Sequence, residues 1–286
     1  MSKTPPIHPV DKKVSYAQCQ EIVRRHDPDR YLISLLMPRK YRCALWALYA
    51  FNYEIAKTRE VVSDTTIGLI RLQWWRDTIK EIYEGKEPRK HEVVTPLAKV
   101  IKTYDLPFEH FETLIYAREF DLEGVAPANI DGLLNYCDFT NTPLSQLSLK
   151  ILEHNEDERI VKSVSQYYGL IGLLRAVSYM LKYGQVLLPQ DFMVRYNISA
   201  QKIHDFNKKK EIIQVINDLM QEAKAVEKQF QNDELLIKFR FIHSLARMAK
   251  AYARRIEKVK GDVFDPRLQM PLPLLPLKLW LCALFK

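Results

Sequence analysis

The residues best placed to do chemistry lie in two segments predicted to be helical, residues 42–60 and 168–189. Side chains three or four positions apart share one helix face, so carboxylates at that spacing can hold a metal ion together. The first segment offers Glu54 and Glu60 with Lys57 between them, and the second contains no acid. Chemistry that depends on a cluster of Mg²⁺ ions would therefore lack most of its oxygen ligands.

Asp64 lies just beyond the first segment and forms an i,i+4 pair with Glu60. One interpretation is a relocated metal site built from Glu54, Glu60 and Asp64. The other is a set of surface charges that pair with Lys57 and with the arginine at position 59, each pair contributing only a few tenths of a kcal/mol. The sequence favours the surface pairs and leaves the metal site as an alternative.

Composition limits the classes of protein to which the chain can belong. The chain has 286 residues, of which 47% are hydrophobic, enough for a sizeable core. Only eight glycines occur, and neither a G-x-G-x-x-G nor a G-x-x-x-x-G-K-[ST] loop is present, so nucleotide sites of those types are excluded. The net charge of +8 suits an anionic partner such as a membrane surface. Nucleic acid is not expected, because basic and aromatic residues are not interleaved.

Cysteine and histidine give no sign of a metal centre. The four cysteines are far apart in the chain and show no C-x-x-C spacing, which is typical of reduced, buried thiols. The seven histidines form no H-x-x-x-H pair. We therefore expect no metal and no cofactor.

Prolines, glycines and capping residues divide the chain into helices. We expect a single all-α domain over residues 15–267, preceded by a flexible N-terminus (1–14) and followed by an apolar, proline-rich tail (268–286). The predicted helices cover about residues 15–26, 38–61, 66–83, 95–104, 107–123, 129–140, 143–153, 157–182, 200–206, 208–230 and 233–260.

The last predicted helix carries a basic stripe made of Arg240, Arg247, Arg254 and Lys258. A stripe of this kind is usually a solvated face, but it could also contact anionic lipid headgroups. The tail that follows is interrupted by three prolines, and the run after Pro276 is too short to span a bilayer. It could cover the core as a strap, or lie in a membrane interface with Trp280 and Phe285 inserted.

The two segments resemble the aspartate-rich helices of the squalene/phytoene synthase superfamily. The first corresponds to the pattern Y-A-x-x-R-x-x-D-D-x-x-D, here residues 49–60, in which the acid positions hold Ala56, Lys57 and Glu60. The resemblance implies an all-α isoprenoid-synthase fold with a central cavity. In that family Mg²⁺ held by the acids binds prenyl diphosphates.

The second segment corresponds to L-x-x-x-R-D-V-x-E-D, and here the acid positions hold Ala176, Tyr179 and Met180. Five of the six carboxylates that the family pattern implies are thus absent, and no residue of either motif is expected to be catalytic. The alternative is an active, Mg²⁺-dependent head-to-head prenyltransferase that uses displaced ligands.

A further set of residues is similar to the acid-poor branch of the superfamily, typified by NADH dehydrogenase (complex I) assembly factor 6. The runs are Phe-Asn-x-Glu at 51–54, Gln-Trp-Trp at 73–75 and Leu-Arg-Ala at 174–176. This likeness implies a non-catalytic protein that acts with complex I subunits or assembly factors at the inner-membrane surface. The location would be the matrix side if the protein is eukaryotic, and cytoplasmic and peripheral if it is bacterial.

The candidate ligand for such a protein is an isoprenoid or a phospholipid in the former prenyl cavity. Tryptophans on amphipathic helices usually pack the core, but they could also line the cavity, and arginines beside them could bind a phosphate or pair with acids. The candidate cavity residues are Tyr49, Asn52, Glu54, Arg71, Trp74, Trp75 and Arg175.

Overall fold

The computed structural model describes residues 14–62, 64–155, 157–182, 185–199, 208–234, 236, 239–268 and 270–284. Helices and their connections make up this part of the chain, with no strand in it. They are α1 (Ala17–His26), α2 (Pro28–Leu36), α3 (Arg39–Ala56), α4 (Thr58–Val61), α5 (Thr65–Tyr83), α6 (Val94–Tyr104), α7 (Phe108–Glu123), α8 (Ile130–Ile151), α9 (Glu158–Lys182), α10 (Gln190–Arg195), α11 (Lys209–Lys228), α12 (Arg240–Lys258) and α13 (Leu275–Leu284), with a short 3₁₀ helix at Pro266–Leu268.

Helix α9 lies at the centre of the bundle and packs against α8, α11 and α12. Helix α3, the other segment of interest, packs against α1, α6 and α8. The core is one continuous apolar cluster, to which α3 contributes large side chains such as Leu45, Leu48 and Phe51. Both former motif segments are therefore held by extensive burial, which fixes the direction in which their side chains point.

The chain enters two of these helices through side-chain caps. The Asp64 carboxylate accepts hydrogen bonds from the backbone N–H groups of Thr66 and Ile67, as the sequence predicts for the start of α5. Asp27 caps α2 in the same way by accepting from the Arg30 N–H, with Pro28 in the first turn. The sequence predicts a helix over about residues 15–26 and the next from residue 38, so α2 is an element that the prediction lacks.

Three predicted boundaries differ from the structure. Helix α3 ends at Ala56 and is followed by the short α4, where one helix to position 61 was predicted. Helix α8 is continuous through Pro143, where two helices were predicted. Helix α12 begins at Arg240, later than predicted, and the segment predicted at 200–206 lies outside the described residues.

Candidate functional site

The end of α3, where the first motif lies, is held by an ion-paired acid. Glu54 is 5% exposed, and its carboxylate accepts from Lys57 Nζ at 2.5 Å and from the Arg71 guanidinium at 2.8 Å. The positive charge of Lys57 is therefore neutralised by Glu54 within the protein. Of the two predicted alternatives for Arg71, phosphate binding or pairing with an acid, the structure has the ion pair with Glu54. Glu60 is exposed, and Ala56 is partly buried.

The second motif opens onto a different surface. Ala176 and Tyr179 line a groove of about 430 Å³ whose opposite wall is the C-terminal segment, including Leu268, Leu272 and Leu275. We call this the tail groove. Met180 is 8% exposed and lies in the protein interior. Two of the three positions that carry acids in the family pattern, Ala176 and Tyr179, thus share a groove with apolar side chains of the C-terminal segment.

A separate cavity of about 250 Å³, the central cavity, lies between α2, α3, α7, α8, α9 and α12. Of the seven candidate cavity residues, Asn52 and Arg175 line it. Its lining is polar rather than hydrocarbon-like, because five charged side chains face it: Asp27, Asp29, Arg30, Arg118 and Arg175.

The charges in the central cavity are organised as ion pairs that link distant helices. Asp29 accepts from Arg175 at 3.0 Å and from the Tyr252 hydroxyl at 2.7 Å, and Arg175 also lies over the Tyr252 ring. The two aspartates at the start of α2 are each bonded to an arginine, since Asp27 accepts from Arg30 at 2.9 Å. These residues separate the cavity from the tail groove, which shares Asp29, Arg175 and Tyr252 as lining.

Burial sets the protonation of this lining. Burial alone would lower the pKa of Arg30, but Asp27 and Tyr168 outweigh it and raise that pKa, so the guanidinium keeps its charge. Burial raises the pKa of the Tyr168 hydroxyl well above its usual value, and Tyr168 stays a neutral phenol. Arg30 therefore contributes a positive charge to the lining and Tyr168 a neutral hydroxyl.

The other candidate residues lie in the packed core or its edge. Tyr49 is 1% exposed and its hydroxyl is 3.1 Å from that of Ser148. Trp75 is buried against Phe51, and Trp74 is half-buried beside His91 and Arg89. The packing interpretation of the tryptophans is the one the structure shows.

The predicted membrane-contact residues fall in different places. Arg247 and Arg254 line a groove of about 600 Å³ together with Lys250 and Lys278, over a floor that includes Phe230 and Leu279. We call this the basic groove. Arg240 donates to the Leu36 carbonyl, and Lys258 is exposed. Phe285 lies outside the described residues, and of Trp280 only the backbone is described.

The first part of the tail packs as a strap. Leu268, Leu275 and Leu279 belong to the same buried cluster as the helical core. The Arg255 guanidinium donates to the backbone carbonyls of Arg267, Met270 and Pro271 and so fixes the chain that leads into α13. No helix in the described part of the chain is both long and apolar enough to cross a bilayer.

The comparisons agree with this architecture. The squalene/phytoene synthase family profile matches residues 23–273. The chain belongs to the squalene/phytoene synthase family. It is 30% identical over 267 residues to human NADH dehydrogenase (ubiquinone) complex I, assembly factor 6, covering 92% of this chain and 80% of that protein.

Synthases are more distant relatives. Phytoene synthase 1 of Zea mays is 24% identical over 203 residues, which is 67% of this chain and 48% of that protein. The solved structure of a dehydrosqualene synthase superposes with a TM-score of 0.77 at 16% identity, covering 94% of this chain and 95% of that one. This structural likeness establishes the isoprenoid-synthase fold that the sequence predicts.

A Mg²⁺ cluster of the family type does not fit these residues. Within the ranges that the structure describes, no group of three His, Cys, Asp or Glu side chains is arranged to hold a metal ion. The carboxylates at positions 27, 29 and 54 are each bonded to a cationic side chain, and the one remaining motif acid, Glu60, is exposed. Sequence reasoning missed Asp27, Asp29 and Arg30, because a residue's distant partners cannot be read from spacing along one helix.

Proposed function

We propose that this chain is a non-catalytic member of the family and acts in the assembly of respiratory complex I at the inner-membrane surface. The relatives that match over most of the chain carry the name of complex I assembly factor 6, in human and in cattle among others. In a eukaryote the protein would work on the matrix side of the membrane, and in a bacterium at the cytoplasmic side. Its partners would be complex I subunits or other assembly factors.

The proposal that the protein is non-catalytic rests on the side chains found at the acid positions of the two motifs and on their contacts. A diphosphate leaves only when cations neutralise it, and those cations need oxygen ligands. At the first motif Lys57 is bonded to Glu54, and at the second Ala176 and Tyr179 face the leucines of the tail groove. Both faces have protein-internal partners in place of metal ligands.

Gene deletion in the source organism tests the assembly role. We expect the amount of assembled complex I on native gels to fall, while complex II activity stays unchanged. Re-expression of wild type and of the Glu60→Gln variant should restore complex I equally, because Glu60 is exposed and has no catalytic part. Normal complex I in the deletion strain would show that the assembly proposal is wrong.

The alternative is a prenyltransferase that uses displaced metal ligands, with Asp27 and Asp29 as the carboxylates that line the central cavity. Incubation of the purified protein with farnesyl or geranylgeranyl diphosphate and Mg²⁺ separates the two proposals. The non-catalytic proposal predicts neither a C30 or C40 hydrocarbon nor released pyrophosphate. Turnover that Glu60→Gln or Asp27→Asn abolishes would establish the enzyme instead.

We place the contact with anionic phospholipid at the basic groove. Arg247, Arg254 and Lys278 line it beside apolar side chains, a combination that matches a lipid headgroup and the start of its acyl chains. A basic surface alone adheres weakly and is screened by salt, whereas apolar burial is not. The groove would therefore supply both parts of the interaction.

Vesicle sedimentation tests this contact. Wild type should pellet with cardiolipin-containing vesicles and less with neutral ones, and the Arg247→Gln/Arg254→Gln variant should lose the preference. The matched control Arg24→Gln/Arg195→Gln removes two exposed arginines that do not line the groove. Equal loss in both variants, or equal binding to neutral vesicles, would mean that the groove has no special part.

A further inference from the structure

We propose that the central cavity binds a compact, hydroxylated anion such as a hydroxy acid or a sugar phosphate, rather than a prenyl chain. The cavity would have this preference whether or not the protein acts in complex I assembly. Four properties of the lining lead to this ligand class: its volume, its unpartnered polar atoms, its charge and the place of one glycine.

The volume limits the size of the ligand. Water occupies about 30 Å³ in the liquid, so about eight water-sized groups fill 250 Å³. That space suits a molecule of roughly eight to ten non-hydrogen atoms. A fifteen-carbon prenyl chain with its diphosphate would extend beyond this lining.

Among the residues that the structure describes, two buried polar atoms in the lining have no hydrogen-bond partner. Asn52 is 7% exposed, and its side-chain oxygen is unpaired; the Arg118 Nε is unpaired as well. Buried polar atoms in folded proteins are nearly always paired with protein, water or ligand. A ligand hydroxyl would donate to Asn52, and a carboxylate or phosphate oxygen would accept from Arg118.

The arginines of the lining provide donors for an anionic ligand. Three arginines and two aspartates face the cavity, and each aspartate is bonded to one of the arginines. The third arginine, Arg118, is 3.2 Å from Asp121, whose side chain does not line the cavity. Each of the three arginines therefore has an aspartate partner, and the Nε of Arg118 remains as a donor that an anionic ligand could use.

A glycine preserves the space. Gly172 lies in the middle of α9 and lines the cavity, and a Cβ built on it would meet no atom within 4 Å. Because no atom lies that close, the packing of α9 does not require glycine at this position. Glycine also weakens a helix interior relative to alanine, so it does not serve helix stability either. Gly169, one turn earlier, differs because its Cβ would come within 2.5 Å of the Asn141 side chain. Gly169 is thus a packing glycine, whereas the absence of a side chain at Gly172 adds only to the cavity.

An apolar occupant would be poorly accommodated. It would leave Asn52 and Arg118 without partners and would remove water from guanidinium groups without replacing their hydrogen bonds. An oxygen-rich anion satisfies the same groups. The lining of the cavity thus favours an oxygen-rich anion over an apolar ligand.

Thermal unfolding of the purified full-length chain tests the proposal with four probes. Glycerol 3-phosphate and glycerate carry the hydroxylated anion in phosphate and carboxylate form, glycerol lacks the charge, and farnesyl diphosphate carries the prenyl chain. Sodium chloride at matched ionic strength is the reference. We expect at least one of the two anions at millimolar concentration to raise Tm by several degrees, since a ligand that binds only the folded state stabilises it. Which of them does so identifies the acid group.

Variants locate the binding. Asn52→Leu removes the unpaired oxygen at similar volume, and Gly172→Leu fills the cavity; each should reduce affinity for the effective anion at least tenfold. Without ligand, Asn52→Leu should melt no lower than wild type, and Gly172→Ala should melt about 2–3 °C higher because of its helix propensity. Gly132→Ala is the matched control, since its Cβ meets only ordinary contacts at 3.5 Å and it lies outside the cavity lining.

The outcomes are decisive in both directions. An anion-induced rise in Tm that both cavity variants lose and Gly132→Ala keeps would establish the site. The proposal is wrong if neither anion exceeds sodium chloride, or if the rise persists in Asn52→Leu and Gly172→Leu. It is also wrong if farnesyl diphosphate stabilises wild type and Gly172→Leu abolishes that effect, because the cavity would then accept a prenyl chain.

Discussion

At the residue scale, Glu54 neutralises the positive charge of Lys57 at the end of α3. The carboxylate is buried between Lys57 and Arg71, at 2.5 and 2.8 Å. Glu54→Gln would leave two cations close together without an acid, and removal of one partner of a buried ion pair is strongly destabilising. We expect the free energy of unfolding in urea to fall by about 3 kcal/mol.

The matched control for this variant is Glu21→Gln. Glu21 pairs with Arg24 at 2.8 Å, but both side chains are at least half exposed. An exposed pair of this kind contributes less than about 1 kcal/mol. If the two variants lose the same stability, Glu54 is solvated and does not hold the end of α3.

His110 gives the protein a dependence on pH near neutrality. Burial lowers its pKa from 6.5 by disfavouring the charged imidazolium, although Glu109 and Glu158 oppose the effect. Above pH 6.5 the imidazole is neutral in both states. As pH falls through 6.5 the unfolded chain takes up a proton that the folded state resists, so stability is lost.

We therefore expect a lower urea midpoint at pH 5.5 than at pH 7.5. His110→Gln should lessen the difference, and the remainder should include His26, whose pKa is lowered by burial and by Arg25 and Lys57. Acids such as Glu81, with a pKa lowered from 4.5, are ionised in both states across this window and contribute below it. An unchanged midpoint between the two values would contradict the argument.

At the scale of the element, α13 has one face on the protein and one face outside. Leu275 and Leu279 are 6% and 3% exposed, whereas Leu277 is 48% exposed. The helix packs against α2 and α12. Leu275 on its inner face lines both the tail groove and the basic groove, Leu279 lines the basic groove, and Leu277 lies on the exposed face.

Alanine substitution should separate the two faces. Leu279→Ala removes buried methyl groups and should lower the free energy of unfolding by about 2–4 kcal/mol. Leu277→Ala should change it by less than about 0.5 kcal/mol. Chemical denaturation measures both, and equal small effects would mean that α13 is not attached to the core in solution.

At the scale of the whole molecule, the distribution of acids predicts how the protein responds to magnesium. A ligand at 100 times its Kd adds about 2.7 kcal/mol to the stability of the folded state. The acids at positions 27, 29 and 54 are bonded to cationic side chains, so millimolar Mg²⁺ should leave Tm unchanged. A rise of several degrees in a melting experiment would contradict this expectation. Calcium at the same concentration serves as a control for nonspecific divalent binding.

Two properties could be read from the sequence alone: the all-α class of the fold, and the absence of most carboxylates from the two motifs. Helical periodicity and caps depend on neighbours within a few residues, so the cap at Asp64 and most helix bounds could be read from local pattern. The resemblance to the synthase motifs supplied the positions at which Ala56 and Ala176 stand.

Only the tertiary structure decided what those helices enclose. Pro143 stays inside one helix because the surrounding core holds α8 together, which local rules on proline do not include. The pairing of Asp29 with Arg175 joins residues 146 positions apart, and no spacing along one helix reveals it. Six helices converge on the central cavity, and its charged side chains come from three of them, α2 with its N-cap, α7 and α9. Burial and contact between distant segments are properties of packing rather than of local sequence.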